Sequence, residues 1–335
     1  MLFRRPLLAL WFAGVLAACG SGGDDDGVGD VDGGGTGPDA GVPDCDELLC
    51  LQPPARGFQV RSIGQVIHSG QDIEYCEAVQ LPGDPSDVYY VNRLESEMSP
   101  SSHHLIVTAA EVGSPTEAAI TGPGDTRQCT SSREFGADLL PVTGNQHPFE
   151  VEQFPPGVGR VYHGGQYLIF DYHYLNLTDG DIMAQAAVNF HTVDEADVQK
   201  IARSFGFYNF GIYTPAGETS SHTAECTFST DIVVYNLTRH THQWGTDFTA
   251  WFFGGDRDGD MVWTTPDYET DTDFVFEPVV ELGAGEGFRF QCNFDNTTNG
   301  DLMFGTEATD EMCILFGVWW EAGDVEAPSQ SCQRL

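Results

Sequence analysis

The feature that most constrains this chain is a succession of short runs rich in Val, Ile, Phe, Tyr and Trp. They are VYYVNRLE (88–95), HHLIVTAA (103–110), QYLIFDYHYL (166–175), AQAAVNFHTV (184–193), TDIVVYNLTRHTH (230–242), DFTAWFFGG (247–255), GFRFQCNF (287–294) and CILFGVWW (313–320). Gly, Pro, Asn and Asp clusters separate them, which marks strands joined by turns. Helical periodicity is weak, and only ADVQKIARS (196–204) could form a turn or two of helix. That segment lies near the middle and can mark a boundary. The expected fold is all-β: two tandem antiparallel β-sandwich domains over 45–195 and 196–335. Jelly-roll or immunoglobulin-like topology would satisfy the pattern equally.

The chain start reads differently. Arg4 and Arg5 precede an apolar stretch from Leu7 to Leu16, and Leu16-Ala17-Ala18 runs into Cys19. Residues 1–18 are therefore expected to be a secretory signal peptide. The Cys placement resembles a bacterial lipobox, which would make Cys19 the lipidated first residue. Residues 20–44 are Gly, Asp, Ser and Pro with little to bury, a flexible acidic tether. The expectation is an exported lipoprotein of the bacterial outer membrane, on its periplasmic face or at the cell surface. It would touch membrane through its lipid only and act as a monomer.

The formal net charge is -37, and Lys200 is the only lysine. Nucleic acid needs a basic footprint, so it is excluded as a partner. Nine cysteines are present. With Cys19 set aside, Cys45, Cys50, Cys76, Cys129, Cys226, Cys292, Cys313 and Cys332 form an even set, which in an exported chain implies disulfides. Spacing does not give their connectivity, although Cys45 and Cys50 are close enough to pair locally.

The candidate chemistry lies in His and Met. His240 and His242 end a strand-like run, and residues i and i+2 project from one face of a strand. Both imidazoles can thus meet one ion. His103 and His104 are adjacent, so a regular strand would send them to opposite faces. A strand start or bulge after MSPSS would be needed to bring them together. His173 in FDYHYLN is the natural third ligand, and His163 beside Gly164-Gly165 reads as its loop rival. Met312 sits just before an apolar run, where a Met is commonly core filler. Imidazole suits copper and thioether sulfur selects Cu(I), so two His with one Met point to redox copper chemistry. His68, His147, His191 and His222 show no ligand pattern. Asp256, Asp258 and Asp260 alternate like a calcium loop, but the glycine is misplaced and a β-hairpin turn is expected. Asn176, Asn236 and Asn296 open Asn-x-Thr sequons, discounted beside a lipobox. GxSxG, Cys-x-x-Cys and phosphate- or dinucleotide-binding patterns are absent.

The order of these elements resembles the copper type II, ascorbate-dependent monooxygenases of the peptidylglycine α-hydroxylating and dopamine β-monooxygenase type. The similarity runs from about residue 57 to the C-terminus. It rests on EYC (74–76), His103-His104 before an apolar strand, PPGVGRVYHGG followed by His173-Tyr174, HTH (240–242), RFQCNF (289–294) and DEMC (310–313). The resemblance implies two jelly-roll domains with a copper site in each. His103, His104 and His173 would form an electron-relaying site. His240, His242 and Met312 would form the catalytic site that handles dioxygen and substrate. It also implies the disulfides Cys76–Cys129, Cys226–Cys332 and Cys292–Cys313, the last pinning Met312. The implied reaction hydroxylates a C–H bond of a small-molecule substrate, with O2 and ascorbate or an equivalent reductant as co-substrates.

The substrate positions depart from the peptidylglycine enzymes. An Arg two residues before the first His of the pair is Thr238 here, with Arg239 shifted to the other face. A Tyr four residues after the Met is Phe316, and an Asn two residues after it is Ile314. A hydrophobic wall replaces polar anchors, so a less polar or uncharged molecule is expected. A copper-sequestering lipoprotein without oxygenase activity, and an adhesin-like sandwich with incidental His and Met, are the alternatives.

Overall fold

The structure is a computed structural model that describes residues 48–334 apart from 146, 269–272, 306–308 and 324–329. The signal segment, Cys19, the tether and Cys45 lie outside the described residues. Among those described, no helix is long and apolar enough to cross a membrane.

The regular structure of the described residues is nearly all β. Its first half runs β1 (Gly57–Arg61), β2 (Gln65–Ile67), β3 (Asp72–Gln80), β4 (Val88–Met98) and β5 (Ser102–Ala110). It continues through β6 (Thr126–Gln128), β7 (Leu139–Asn145), β8 (Phe149–Gln153), β9 (Val158–His163) and β10 (Tyr167–Leu175). β11 (Ile182–Ala184), β12 (Ala186–Val193) and β13 (Lys200–Ile201) complete it. The second half runs β14 (Arg203–Tyr208), β15 (Tyr213–Thr214), β16 (Thr219–Phe228), β17 (Ile232–His240) and β18 (Gly245–Phe253). β19 (Met261–Thr265), β20 (Asp273–Leu282), β21 (Gly287–Asp295), β22 (Leu302–Met303), β23 (Ile314–Glu321) and β24 (Gln330–Arg334) follow.

Among the described residues, no sheet mixes the two halves. One sheet of the first half has the order β1-β12-β4-β9-β13, with β8 also on β4, and the other β6-β3-β10-β5-β7. The second half repeats this as β14-β23-β17-β20 and β24-β16-β21-β18-β19. Even the small ladder β2-β11 has its counterpart in β15-β22. Pairing is antiparallel between named strands except for the short β13–β9 contact.

Each pair of sheets closes on its own core. Val91, Leu94 and Phe190 meet Leu105, Val107, Leu168 and Phe170 in the first. Phe205, Phe207 and Leu315 meet Phe248, Phe288 and Phe290 in the second. Each such fully buried side chain contributes roughly 1.5–3 kcal/mol. The alternating pattern of the strands causes this arrangement, since every second side chain faces inward. A smaller cluster of Phe154, Val158 and Ala202 with Val233, Val318 and Trp320 joins the halves. Arg160 reinforces the joint through Ser204 Oγ at 3.0 Å.

The turn or two of α-helix that 196–204 could have made does not form. Only a 3-10 turn, Glu195–Asp197, occurs there, and the chain then enters β13 and β14. Pairing of Lys200 and Ile201 with Val158 and Gly159 outweighs the weak local preference. A short helix, Pro115–Ala119, forms instead, with Ser114 accepting from the Glu117 N–H and Pro at the first turn. Its Ser-Pro-x-Glu signal is an N-terminal cap written in the sequence. His163 is the last residue of β9 rather than a loop residue, because the ladder with β4 reaches it through Val88. The Asp256–Asp260 stretch turns between β18 and β19, as expected of a hairpin.

Candidate metal centres

In the first sandwich, β10 places His173 opposite His104 of β5, and the next pair is Tyr174 opposite Ser102. The strand β5 therefore carries one extra residue, His103, in a β-bulge. The bulge removes the objection that adjacent strand residues point apart. The rings of His103, His104 and His173 lie 5.1–5.4 Å apart between centroids. Their donor nitrogens can all be chosen within 4.8 Å of one another.

Carboxylates from β3 stand behind two of the rings. Asp72 Oδ1 is 2.5 Å from His173 Nε2, and Glu74 Oε1 is 4.0 Å from His104 Nε2. A carboxylate on the far nitrogen fixes ring orientation and raises ligand basicity. With Nε2 of both rings so engaged, Nδ1 is the nitrogen left to ligate. Three imidazoles so arranged fit copper, which accepts all-nitrogen donor sets.

In the second sandwich, β17 ends at His240, and Thr241 and His242 follow before β18. The two imidazoles lie 5.2 Å apart between centroids and almost perpendicular, at 85°. His242 Nδ1 is 3.0 Å from the Asp310 carbonyl. A carbonyl only accepts, so Nδ1 carries the proton and Nε2 is free to ligate. Glu311 is fully buried. Its Oε2 accepts from the His242 and Met312 N–H groups at 2.9 and 3.2 Å, and its Oε1 from the Trp244 N–H at 2.9 Å. One carboxylate thus ties the His-x-His segment to Met312. The Cys292–Cys313 disulfide fastens the next residue to β21. Cys76–Cys129 and Cys226–Cys332 are also formed, and Cys50 is disulfide-bonded.

Electrostatics prepare these rings for metal. Burial, with His242, His103 and Arg239 nearby, lowers the His240 pKa to about 3. Burial lowers His104 well below its ordinary value, with contributions from His173, His103, His240 and His242. His103 and His242 are also lowered chiefly by burial. The two groups of imidazoles lie close enough to act on each other's ionisation. Neutral imidazole is the ligating form, so the lowered values of His103, His104, His240 and His242 favour metal binding at neutral pH.

The sheet face that carries His240 is apolar at Ile314 and Phe316 and polar at its margin, where Thr238 donates to Asp273. Cross-strand pairs align Tyr208, Ile314 and His240 in one row, and Gly206, Phe316 and Thr238 in the next. Tyr208 meets Phe316 edge to face at 5.7 Å and stacks on Phe210 at 5.5 Å, and Phe210 meets Phe304 at 4.7 Å. Arg239 points the other way and is fully buried, its Nη2 donating to the Asp267 carbonyl at 2.5 Å.

Sequence reasoning had missed Asp72, Glu74, Asp310 and Glu311, although the acids of DIEYC and DEMC flank quoted motifs. No sequence signal marks Tyr208, Phe210 or Phe304, which meet only through tertiary packing.

Known proteins give two kinds of similarity. PBCV-1 VP54, fitted into a reconstruction of the virophage Sputnik, is 7% identical over 84% of this chain and 98% of that chain, at a TM-score of 0.23. VP2 of the infectious bursal disease virus subviral particle is 13% identical over 82% of this chain and 75% of that chain, at a TM-score of 0.17. Neither likeness bears on fold or function at such scores. Residues 213–334 match the family model described as copper type II ascorbate-dependent monooxygenase, C-terminal domain. That stretch contains His240, His242, Met312 and the cysteines of two disulfides. That stretch of the chain is thus similar to the C-terminal domain of the copper type II ascorbate-dependent monooxygenases.

Proposed function

We propose that the protein is a copper-dependent monooxygenase that hydroxylates a C–H bond of a small molecule. Dioxygen and two single electrons from ascorbate or a similar reductant would be consumed. The observation that carries this reading is the pairing of two unlike donor sets in a chain with that family match: three imidazoles on one sandwich, and a His-x-His segment tied to Met312 on the other.

His103, His104 and His173 would hold one copper, and His240, His242 and Met312 a second. When bound, copper supplies one-electron redox chemistry and the reduction of dioxygen, with the thioether favouring Cu(I). The chain's own side chains bind and orient. Asp72 and Glu74 set the His173 and His104 rings. Glu311 holds His242 and Met312 in mutual register. Tyr208, Ile314 and Phe316 offer a largely apolar wall beside His240, which supports a weakly polar substrate rather than a peptide carboxylate.

The same reading takes both sandwiches as jelly rolls, with the boundary expected at residues 195 and 196 moved to between β13 and β14. It takes Cys19 as the lipid anchor of a monomer at the bacterial outer membrane. The test is to load the exported protein with copper, then measure bound metal and ascorbate-dependent oxygen uptake across a panel of weakly polar substrates. Two coppers per chain, with uptake lost in His242→Ala and Met312→Ala, is the expected result. Absence of stoichiometric copper would sink the proposal.

A further inference from the structure

The repeated strand order allows residue positions in the two sandwiches to be compared directly. β3, β5 and β10 of the first correspond to β16, β18 and β21 of the second. The loop after β10 fixes the alignment. Asn176 Oδ1 accepts from the Thr178 N–H at 3.0 Å and the Thr178 hydroxyl at 2.7 Å, and Asn176 Nδ2 donates to the Gly180 carbonyl at 2.8 Å. After β21, Asn296, Thr298 and Gly300 make the same three bonds at 3.0, 2.7 and 2.8 Å. Asn176 and Asn296 are therefore equivalent, and counting back three residues pairs His173 with Asn293.

The ladders give the remaining equivalences. His173 faces His104 and Tyr174 faces Ser102, across a bulge at His103. Asn293 faces Asp247 and Phe294 faces Gly245, across a bulge at Thr246. On the other side, His173 faces Glu74 and Asn293 faces Ser221. Thr246, Asp247, Asn293 and Ser221 thus stand where His103, His104, His173 and Glu74 stand.

The second group is also gathered in space. Asn293 Nδ2 donates to Asp247 Oδ1 at 2.6 Å, and the Thr246 hydroxyl reaches Asp247 Oδ2 and the Asn293 carbonyl, both at 3.2 Å. Gln291 Nε2 donates to Asn293 Oδ1 at 3.0 Å. These residues line a cavity of about 550 Å³. The hydrogen bonds join β18 to β21 at the place where a metal would join β5 to β10.

We propose that the Thr246–Asp247–Asn293 cluster is the second sandwich's copy of the all-His centre. It is a metal position built into the scaffold, with the imidazoles replaced by hydroxyl, carboxylate and amide groups that bond to one another. This rests on the reading of His103, His104 and His173 as copper ligands. Oxygen and amide groups with a single carboxylate are a poor copper set, so the wild-type cluster takes no copper. The bulge and register are kept, so restoring imidazoles restores the site.

The experiment compares copper stoichiometry of the wild-type chain with T246H/D247H/N293H and with the smaller change D247H/N293H. Thr246 is exposed, and Asp247 and Asn293 are half-buried, so neither change enters the core. The two-residue variant replaces only side chains that already face each other. The expected result is one additional copper per chain in the triple variant, whatever the wild-type count. Its Cu(II) spectrum should show added nitrogen coordination, and the double variant should show the same copper bound more weakly. Folded variants with the wild-type count overturn the proposal. A wild type without copper, beside a triple variant with one, would leave the scaffold equivalence standing and refute the monooxygenase reading instead.

Discussion

Glu311 accepts the backbone N–H of His242 at 2.9 Å through the same oxygen that accepts the N–H of Met312. Two segments distant in sequence are thereby held at one buried carboxylate. Replacing Glu311 with Ala strands three N–H donors, each costing about 1–3 kcal/mol if left unpaired. E311A should lower stability by at least a few kcal/mol by that measure. In the folded fraction, X-ray absorption should show the Cu(I) sulfur contribution falling while the all-His site keeps its copper. Unchanged sulfur coordination in E311A would falsify the positioning role.

Asp72 acts on the other centre. It is half exposed and touches His173 at Nε2. Removing such a partner commonly weakens metal affinity about 10- to 100-fold. D72A should show that loss at the all-His site alone, read by competition with a copper chelator. Equal weakening at both centres would argue for a general destabilisation.

The disulfides should separate stability from site geometry. Cys226–Cys332 spans 106 residues and Cys292–Cys313 spans 21. Loop-closure entropy makes the long one worth about 5 kcal/mol and the short one about 3 kcal/mol. C226S/C332S should therefore lower the unfolding midpoint more, yet only C292S/C313S should disturb copper binding at Met312. Denaturant melts and copper titrations on both pairs check the contrast.

Glu150 supplies a pH dependence. Burial, with Asp273 nearby, raises its pKa from 4.5 to about 7. The folded state then holds a proton that the unfolded chain has released, so stability falls as pH rises between about 4.5 and 7. E150Q should remove that part of the slope, on the order of 1–2 kcal/mol at pH 7.5 once solvent screening of this partly exposed group is discounted from the full shift. Parallel slopes for wild type and E150Q across this window would count against a raised pKa.

Much of the strand content was legible because apolar alternation is local. The runs read from sequence at 88–95, 103–110, 166–175 and 313–320 each lie largely within a strand. The segment 196–204 misled, since its weak helical pattern competes with ladder bonds that are invisible along the chain. The cap at Ser114 was legible but overlooked. So was the recurrence of Asn-x-Thr-x-Gly-Asp-x-Met at 176–183 and 296–303, whose residues were weighed only as sequons.

By itself the sequence determined the donor types, the β class and the cysteine inventory, because these depend on residue chemistry and local period. Tertiary structure decided which donors meet. His103 and His104 converge only because the β5–β10 register leaves one residue over. Glu311 reaches His242 only because the segment before β23 folds back beside the end of β17. Strand register and loop closure join residues far apart in the chain, and their energies are settled by pairing and burial rather than by neighbours in sequence.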